Sequence, residues 1–195
     1  MDVQLLKAKL DRGIPLNILL SAAKFLNSQS RESPELTDPS NLPFYYYLGL
    51  QCRPSNVIQV GPRLGLPALC FLQGCRSVKE WVVLDWGAGT YARTIMCNVQ
   101  QKLLGQYNYW VGDIDLLRSK IGDKRWDLSL VTEQCETDLN IYLGDLWKNL
   151  ENGGLLVVDY LSVDSVNKAF HEFCRVKNRE PIIFETRNRI GIVKK

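Results

Sequence analysis

Val57-Ile58-Gln59-Val60-Gly61-Pro62-Arg63-Leu64-Gly65-Leu66-Pro67-Ala68 is the stretch on which the fold turns. A short apolar run stops at one glycine, and a second glycine four positions on leads into an apolar stretch with helical spacing. That order of strand, tight loop and helix opens a parallel α/β sheet. Gly61 permits a tight turn, Gly65 allows close backbone approach, and the free amides at the helix start face whatever binds there.

Working outward, four more apolar runs recur: Trp81-Val82-Val83-Leu84, Tyr107-Asn108-Tyr109-Trp110-Val111, Leu128-Ser129-Leu130-Val131 and Leu155-Leu156-Val157-Val158. Most lack polar alternation, which fits strands covered on both faces. Amphipathic stretches near 65–74, 89–104, 114–121 and 136–150 are long enough for right-handed crossover helices. A helix near 164–177 follows, and Ile182-Ile183-Phe184 and Ile190-Gly191-Ile192-Val193 read as a closing hairpin. The expected architecture is a Rossmann-like α/β fold with a seven-stranded, mostly parallel sheet whose last strand is antiparallel.

Upstream, residues 1–43 read as an N-terminal helical segment and linker, and 44–195 as the main domain. Val3, Leu5, Leu6 and Leu10, then Ile14, Ile18, Leu19, Ala22, Ala23, Phe25 and Leu26, give two helical stretches broken at Gly13-Ile14-Pro15. Pro34, Pro39 and Pro43 make 28–43 a loop. The main domain starts with a short apolar helix over 44–50, closed off by Pro54.

The chain has 195 residues, 46% of them hydrophobic and 23% charged, which excludes disordered, collagen-like and coiled-coil classes. A net charge of +3 does not point to a nucleic-acid partner. The basic excess lies in 168–195 and reads as a solvated surface. Cys52, Cys70, Cys75, Cys97, Cys135 and Cys174 form no CxxC pair, and His171 is the lone histidine, so no zinc site is expected. Cys70, Cys75 and Cys97 read as core residues, His171 as surface, and Tyr45-Tyr46-Tyr47 as a cover for the sheet, with the roof of a substrate pocket as the alternative. With neither a leader pattern nor an apolar run of about 18 residues, the expected setting is cytoplasmic, with no membrane association and reduced thiols.

Open α/β sheets bind ligands outside the carboxyl ends of their strands, where strand order reverses. The second run ends in Asp85, twenty positions beyond Gly65, where a carboxylate accepts both hydroxyls of a ribose. The pair of features suggests a nucleoside ligand, although two glycines can be a packing device and a strand-ending Asp a helix cap. The G-x-G-x-x-G fingerprint of NAD sites is absent, because Arg63 holds the second glycine's place.

On these residues the chain resembles the class I S-adenosylmethionine-dependent methyltransferases, in particular the small-molecule O-methyltransferase-like branch, over residues 42–195. Gln59-Val60-Gly61-Pro62-Arg63-Leu64-Gly65 is similar to that family's first motif, Asp85 to its ribose-binding acid, and Val111-Gly112-Asp113 to the segment whose acid lies near the adenine. Arg125-Trp126-Asp127-Leu128-Ser129-Leu130-Val131 resembles the fourth strand. The stretch from Leu150 through Gly153-Gly154 to Asp159 resembles the turn into the fifth strand and that strand itself. The resemblance implies S-adenosylmethionine as cofactor, held by Gln59, Gly61, Arg63, Gly65, Asp85, Trp86 and Asp113. Trp86 stands beside Asp85, where it could stack on the adenine or simply pack.

The departures are specific. The family's motif opens with an acid and carries a central glycine, where this chain has Gln59 and Arg63. A neutral amide supplies no negative charge to balance a sulfonium, and Arg63 adds a positive one. An arginine aimed into the cleft would suit an anionic ligand, and one aimed at solvent would leave the pocket to the cofactor. Catechol-type relatives hold a divalent ion with an acid ending the fourth strand and an Asp-Asn pair after the fifth, whereas this chain offers Thr132 and Asp159-Tyr160. One hard donor out of three implies no metal.

Methyl transfer from a good leaving group needs in-line positioning and exclusion of water, with a base only where the acceptor must lose a proton. Asp159 and Glu133, following the fifth and fourth strands at the cleft mouth, are the candidate bases. Asp159 could equally cap the next helix or bond loop amides. The expected function is metal-independent methyl transfer to a small hydroxyl- or amine-bearing acceptor. The alternative is a catalytically inactive methyltransferase-like domain acting as a binding or assembly module, which Gln59 and Arg63 favour.

Overall fold

The computed structural model describes residues 3–10, 41–85, 99, 105–132 and 139–195. In chain order the elements are α1 (Val3–Leu10), α2 (Leu42–Gln51), β1 (Asn56–Val60), a 3-10 turn (Arg63–Gly65), α3 (Leu66–Gly74), β2 (Glu80–Asp85), β3 (Gln106–Val111), α4 (Ile114–Ile121), β4 (Trp126–Val131), α5 (Leu139–Asn149), β5 (Leu150–Val158), α6 (Asp164–Val176), β6 (Ile182–Phe184) and β7 (Ile190–Lys194).

The strands form one sheet in the order β3-β2-β1-β4-β5-β7-β6. The β1–β2, β1–β4, β2–β3 and β4–β5 pairs are parallel, and β7 runs antiparallel to both β5 and β6. Strand order reverses beside β1, so the chain leaves the paired strands β1 and β4 toward opposite halves of the sheet, which marks their tips as the place where open α/β sheets bind ligands.

Side chains alternate across the sheet and give it two covered faces. Val57, Trp81, Val83, Leu128 and Leu130 pack under α2 and α3. Ile58, Val60, Val82, Leu84, Val131, Leu156 and Val158 pack with residues of α4, α5 and α6. Each fully buried Val, Leu or Phe contributes about 1.5–3 kcal/mol, and this two-sided burial is why the central strands read as continuous apolar runs. Cys70, Cys75 and Cys174 lie in the buried clusters, while Cys97 and Cys135 fall outside the described residues. His171 is exposed on α6, as expected.

Two boundaries differ from the sequence reading. The helix expected over 44–50 begins at Leu42, with Pro43 inside its first turn; proline is tolerated there because the missing N–H has no intrahelical partner to lose. Strand β5 begins at Leu150, paired with Trp126, and a register irregularity between Trp126 and Leu128 absorbs the Glu151-Asn152-Gly153 step that reads as a turn. The second half of the expected N-terminal helical pair, most of the 28–43 loop and the 89–104 crossover lie outside the described residues. Among the described residues, no helix is long and apolar enough to cross a membrane.

The helices over β1 approach through glycine. A Cβ on Gly49 of α2 would sit 2.3 Å from the Phe71 carbonyl oxygen, and one on Gly74 of α3 would sit 2.3 Å from the Tyr46 oxygen. The two backbones therefore lie closer than any side chain permits.

Candidate functional site

Backbone hydrogen bonds hold the strand tips level with one another. Gly61 N donates to Leu84 O at 2.9 Å, Thr132 N to Val60 O at 3.0 Å, Asp159 N to Val131 O at 2.9 Å and Gly112 N to Asp85 O at 2.9 Å. The residues that follow β1, β3, β4 and β5, together with Asp85 at the end of β2, thus line one edge of the sheet.

The first loop behaves as its glycines require. Gly61 and Gly65 have φ of 79° and 78°, in the left-handed region that L side chains avoid. Gly65 N donates to Pro62 O at 2.7 Å and closes the turn, and Gly65 then forms the N-cap of α3. Arg63, between them, adopts φ 42° without being glycine, a conformation that persists only where surrounding contacts impose it.

Beneath the loop, Gln59 is fully buried. Its Nε2 donates to Gly61 O at 2.9 Å and to Thr132 Oγ1 at 2.8 Å, while the Trp81 indole donates to Oε1 at 3.0 Å. The Thr132 hydroxyl, also buried, in turn donates to Gly61 O. The expectation assigned Gln59 to the cofactor; in the structure its amide holds Gly61 and Thr132 from below and is itself oriented by Trp81.

Arg63 points neither into an open cleft nor to solvent, the two orientations that the sequence left open. It is 4% exposed, with Nη1 3.3 Å from Asp159 Oδ2 and its guanidinium carbon 4.8 Å from the Tyr160 ring centroid. Tyr160 also has positive φ, 66°, so two non-glycine residues in the left-handed region stack on each other.

Asp159 is buried completely rather than standing at the cleft mouth. Oδ1 accepts from Asn41 Nδ2 at 2.6 Å and from Tyr160 N at 2.7 Å; Oδ2 accepts from the Tyr45 hydroxyl at 2.9 Å and from Arg63. It does not cap the following helix, whose N-cap is Val163 with no side-chain bond. Burial pushes the Asp159 carboxyl above its ordinary value, with Arg63 the foremost influence in the other direction, followed by the Tyr160 amide, Tyr45 and Asn41. Burial and the Asp159 charge raise the Tyr45 hydroxyl well above its usual range.

Asp85 ends β2 at 8% exposure, and the Tyr109 hydroxyl of β3 donates to its Oδ2. The carboxylate is therefore fixed at the strand tip beside the first loop. Asp113 is exposed and caps α4, its Oδ1 accepting from Asp115 N and Leu116 N at 3.1 Å each. Trp86 and Glu133 lie outside the described residues.

Sequence reasoning missed Asn41, read as linker, and the participation of Trp81 and Tyr109. Tyr45 was singled out as cover for the sheet or roof of a substrate pocket, not as a partner of Asp159. Its run of three tyrosines carried a usable signal, since a buried phenol needs a polar partner.

No protein-family model matches the chain, and no curated protein sequence matches it. Solved structures do. The O-methyltransferase from Bacillus cereus, in complex with S-adenosylhomocysteine, superposes with a TM-score of 0.73 at 14% identity, covering 98% of this chain and 97% of that one. The S-adenosylhomocysteine-bound methyltransferase PaMTH1 of Podospora anserina gives 0.72 at 14% identity, over 92% and 88% of the two chains. The O-methyltransferase TomG of Streptomyces achromogenes, in complex with S-adenosylmethionine, gives 0.69 at 14% identity, over 91% and 88%. With the strand order, the antiparallel β7 and the glycine loop after β1, these likenesses show that the chain has the class I S-adenosylmethionine-dependent O-methyltransferase-like fold.

Proposed function

We propose that the protein binds S-adenosylmethionine across the tips of β1 and β2 and transfers its methyl group to a small hydroxyl- or amine-bearing acceptor without a divalent metal. The observation that carries the reading is the placement of Asp85, fixed by Tyr109 at the end of β2, next to a loop whose Gly61 and Gly65 are both left-handed. A ribose fits the carboxylate and a close-lying ligand backbone fits the loop. The cofactors held by similar solved structures support the same assignment.

When bound, the cofactor supplies an electrophilic methyl group with a good leaving group. The chain supplies the rest. Asp85 accepts from the ribose hydroxyls, Gly61 and Gly65 let the ligand approach the backbone, and Asp113 lies toward the adenine end. Gln59 and Thr132 hold the loop in shape beneath it. Preorganisation of this kind lowers the barrier chiefly through orientation and exclusion of water. Where the acceptor must lose a proton, Glu133, which follows Thr132 in sequence, is the candidate base.

Calorimetry with S-adenosylmethionine and S-adenosylhomocysteine tests the reading. Binding in the micromolar range is expected, weakened in Asp85→Ala by about 1.5–3 kcal/mol, the loss expected for hydrogen bonds to a charged group. Absence of binding at millimolar ligand would reject it in favour of a binding or assembly module.

A further inference from the structure

The metal site of catechol-type relatives needs three hard oxygen donors at the tips of the fourth and fifth strands, and the residues at those places here do not fit one. Thr132 has its hydroxyl on Gly61 O and receives Gln59 Nε2. Tyr160 lies with its ring beside the Arg63 guanidinium. Asp159 alone keeps a carboxylate, and four donors surround it: Asn41 Nδ2, Tyr160 N, the Tyr45 hydroxyl and Arg63 Nη1.

A carboxylate has about four lone-pair positions, and these four donors fill them. Even a divalent ion bound through a single oxygen would have to displace one of these donors, and it would share the carboxylate with a guanidinium whose Nη1 lies 3.3 Å from Oδ2. Repulsion between two cations on one buried carboxylate, together with the shortage of oxygens, disfavours hard divalent cations. The same saturation leaves no lone pair to receive a proton from an acceptor.

We propose that Arg63 is the built-in cation of this site: its guanidinium balances Asp159 where metal-dependent relatives place a divalent ion, and Asp159 positions Arg63. The arrangement explains why an arginine holds the place of the motif's central glycine despite its left-handed backbone. The long side chain reaches from the first loop to the end of β5, where a glycine would leave the buried carboxylate without a counter-charge. This inference deepens the metal-independent reading above and rests on that reading only for the site's purpose.

The test uses the whole chain and readouts that need no cofactor, so its failure is distinct from a failure to bind S-adenosylmethionine. Electron paramagnetic resonance of Mn²⁺ is expected to show the free-ion signal undiminished by wild-type protein at millimolar metal. Stoichiometric Mn²⁺ binding that disappears in Asp159→Asn would overturn the proposal. In parallel, Arg63→Met is expected to lower the melting temperature by about 10 °C. Arg63→Lys, which keeps the charge, is expected to recover more than half of that loss, and Arg63→Met/Asp159→Asn most of it. A lysine variant as unstable as the methionine variant, or a double variant no better than Arg63→Met alone, would show that charge balance is not the role of the pair. If Arg63→Met fails to fold, the Mn²⁺ measurement on wild type still decides.

Discussion

The Trp81 indole N–H donates to Gln59 Oε1 at 3.0 Å, and this bond decides which way the buried amide faces. An indole nitrogen can only donate, so the amide oxygen must meet it and the NH₂ group must turn to Gly61 O and Thr132 Oγ1. A carboxylate at this position would set an oxygen against the Gly61 carbonyl at the distance of a hydrogen bond.

Gln59→Glu is therefore expected to destabilise the fold by about 2–3 kcal/mol, from two lost donors and a buried charge that no cation among the described residues balances at the first loop's base. Urea unfolding followed by tryptophan fluorescence measures it. A variant as stable as wild type would mean that the amide does not hold the loop.

Arg63→Gly sets two effects against each other. Glycine relieves a left-handed backbone worth about 1–3 kcal/mol, while loss of the guanidinium leaves buried Asp159 uncompensated, at about 3–5 kcal/mol. Net destabilisation is expected, and equal or greater stability in the same urea experiment would show that backbone strain dominates this turn.

Gly49→Ala pushes a methyl group against the Phe71 carbonyl, a backbone atom that no rotamer change can move. A loss of about 1–3 kcal/mol or more is expected. The displacement is also expected to loosen Asn41 and Tyr45, which belong to the cap and body of the same helix, from Asp159. Amide hydrogen exchange across 41–51 and 159–161 reports both effects; a change confined to the helix contact would separate packing from the site.

Alkaline pH is expected to weaken the fold through its buried thiols. Burial pushes the Cys70 thiol from 9.0 up to about 12 and the Cys52 thiol up to about 11. Because the folded values exceed the unfolded ones, the neutral thiols favour folding below pH 9, and that contribution disappears as pH rises from 9 toward 12. Melting temperature should fall across this window, less steeply in Cys70→Ala, and iodoacetamide should leave Cys70 unmodified in folded protein at pH 8.

The strands were legible because β1, β2, β4 and the second half of β5 are covered on both faces, which writes burial directly into runs such as Val57 to Val60 and Trp81 to Leu84. The glycine loop was legible because positive φ leaves few residue choices. The partners of the unusual residues were not. Gln59 meets Trp81 across 22 positions, and Arg63 meets Asp159 across 96; contacts of that span are set by strand order and register, which local patterns do not encode. Asn41 was hidden for a related reason: a polar residue at the end of a proline- and serine-rich stretch reads as linker until the helix it caps is docked over the sheet.

Asn41 and Asp159 are 118 positions apart in the chain. On the ribosome, where residues emerge in numerical order, Asn41 and Tyr45 leave the exit tunnel long before the carboxylate they serve. This corner of the molecule must close late in biosynthesis, and lesions that slow the final strand additions should trap nascent chains with these donors still hydrated.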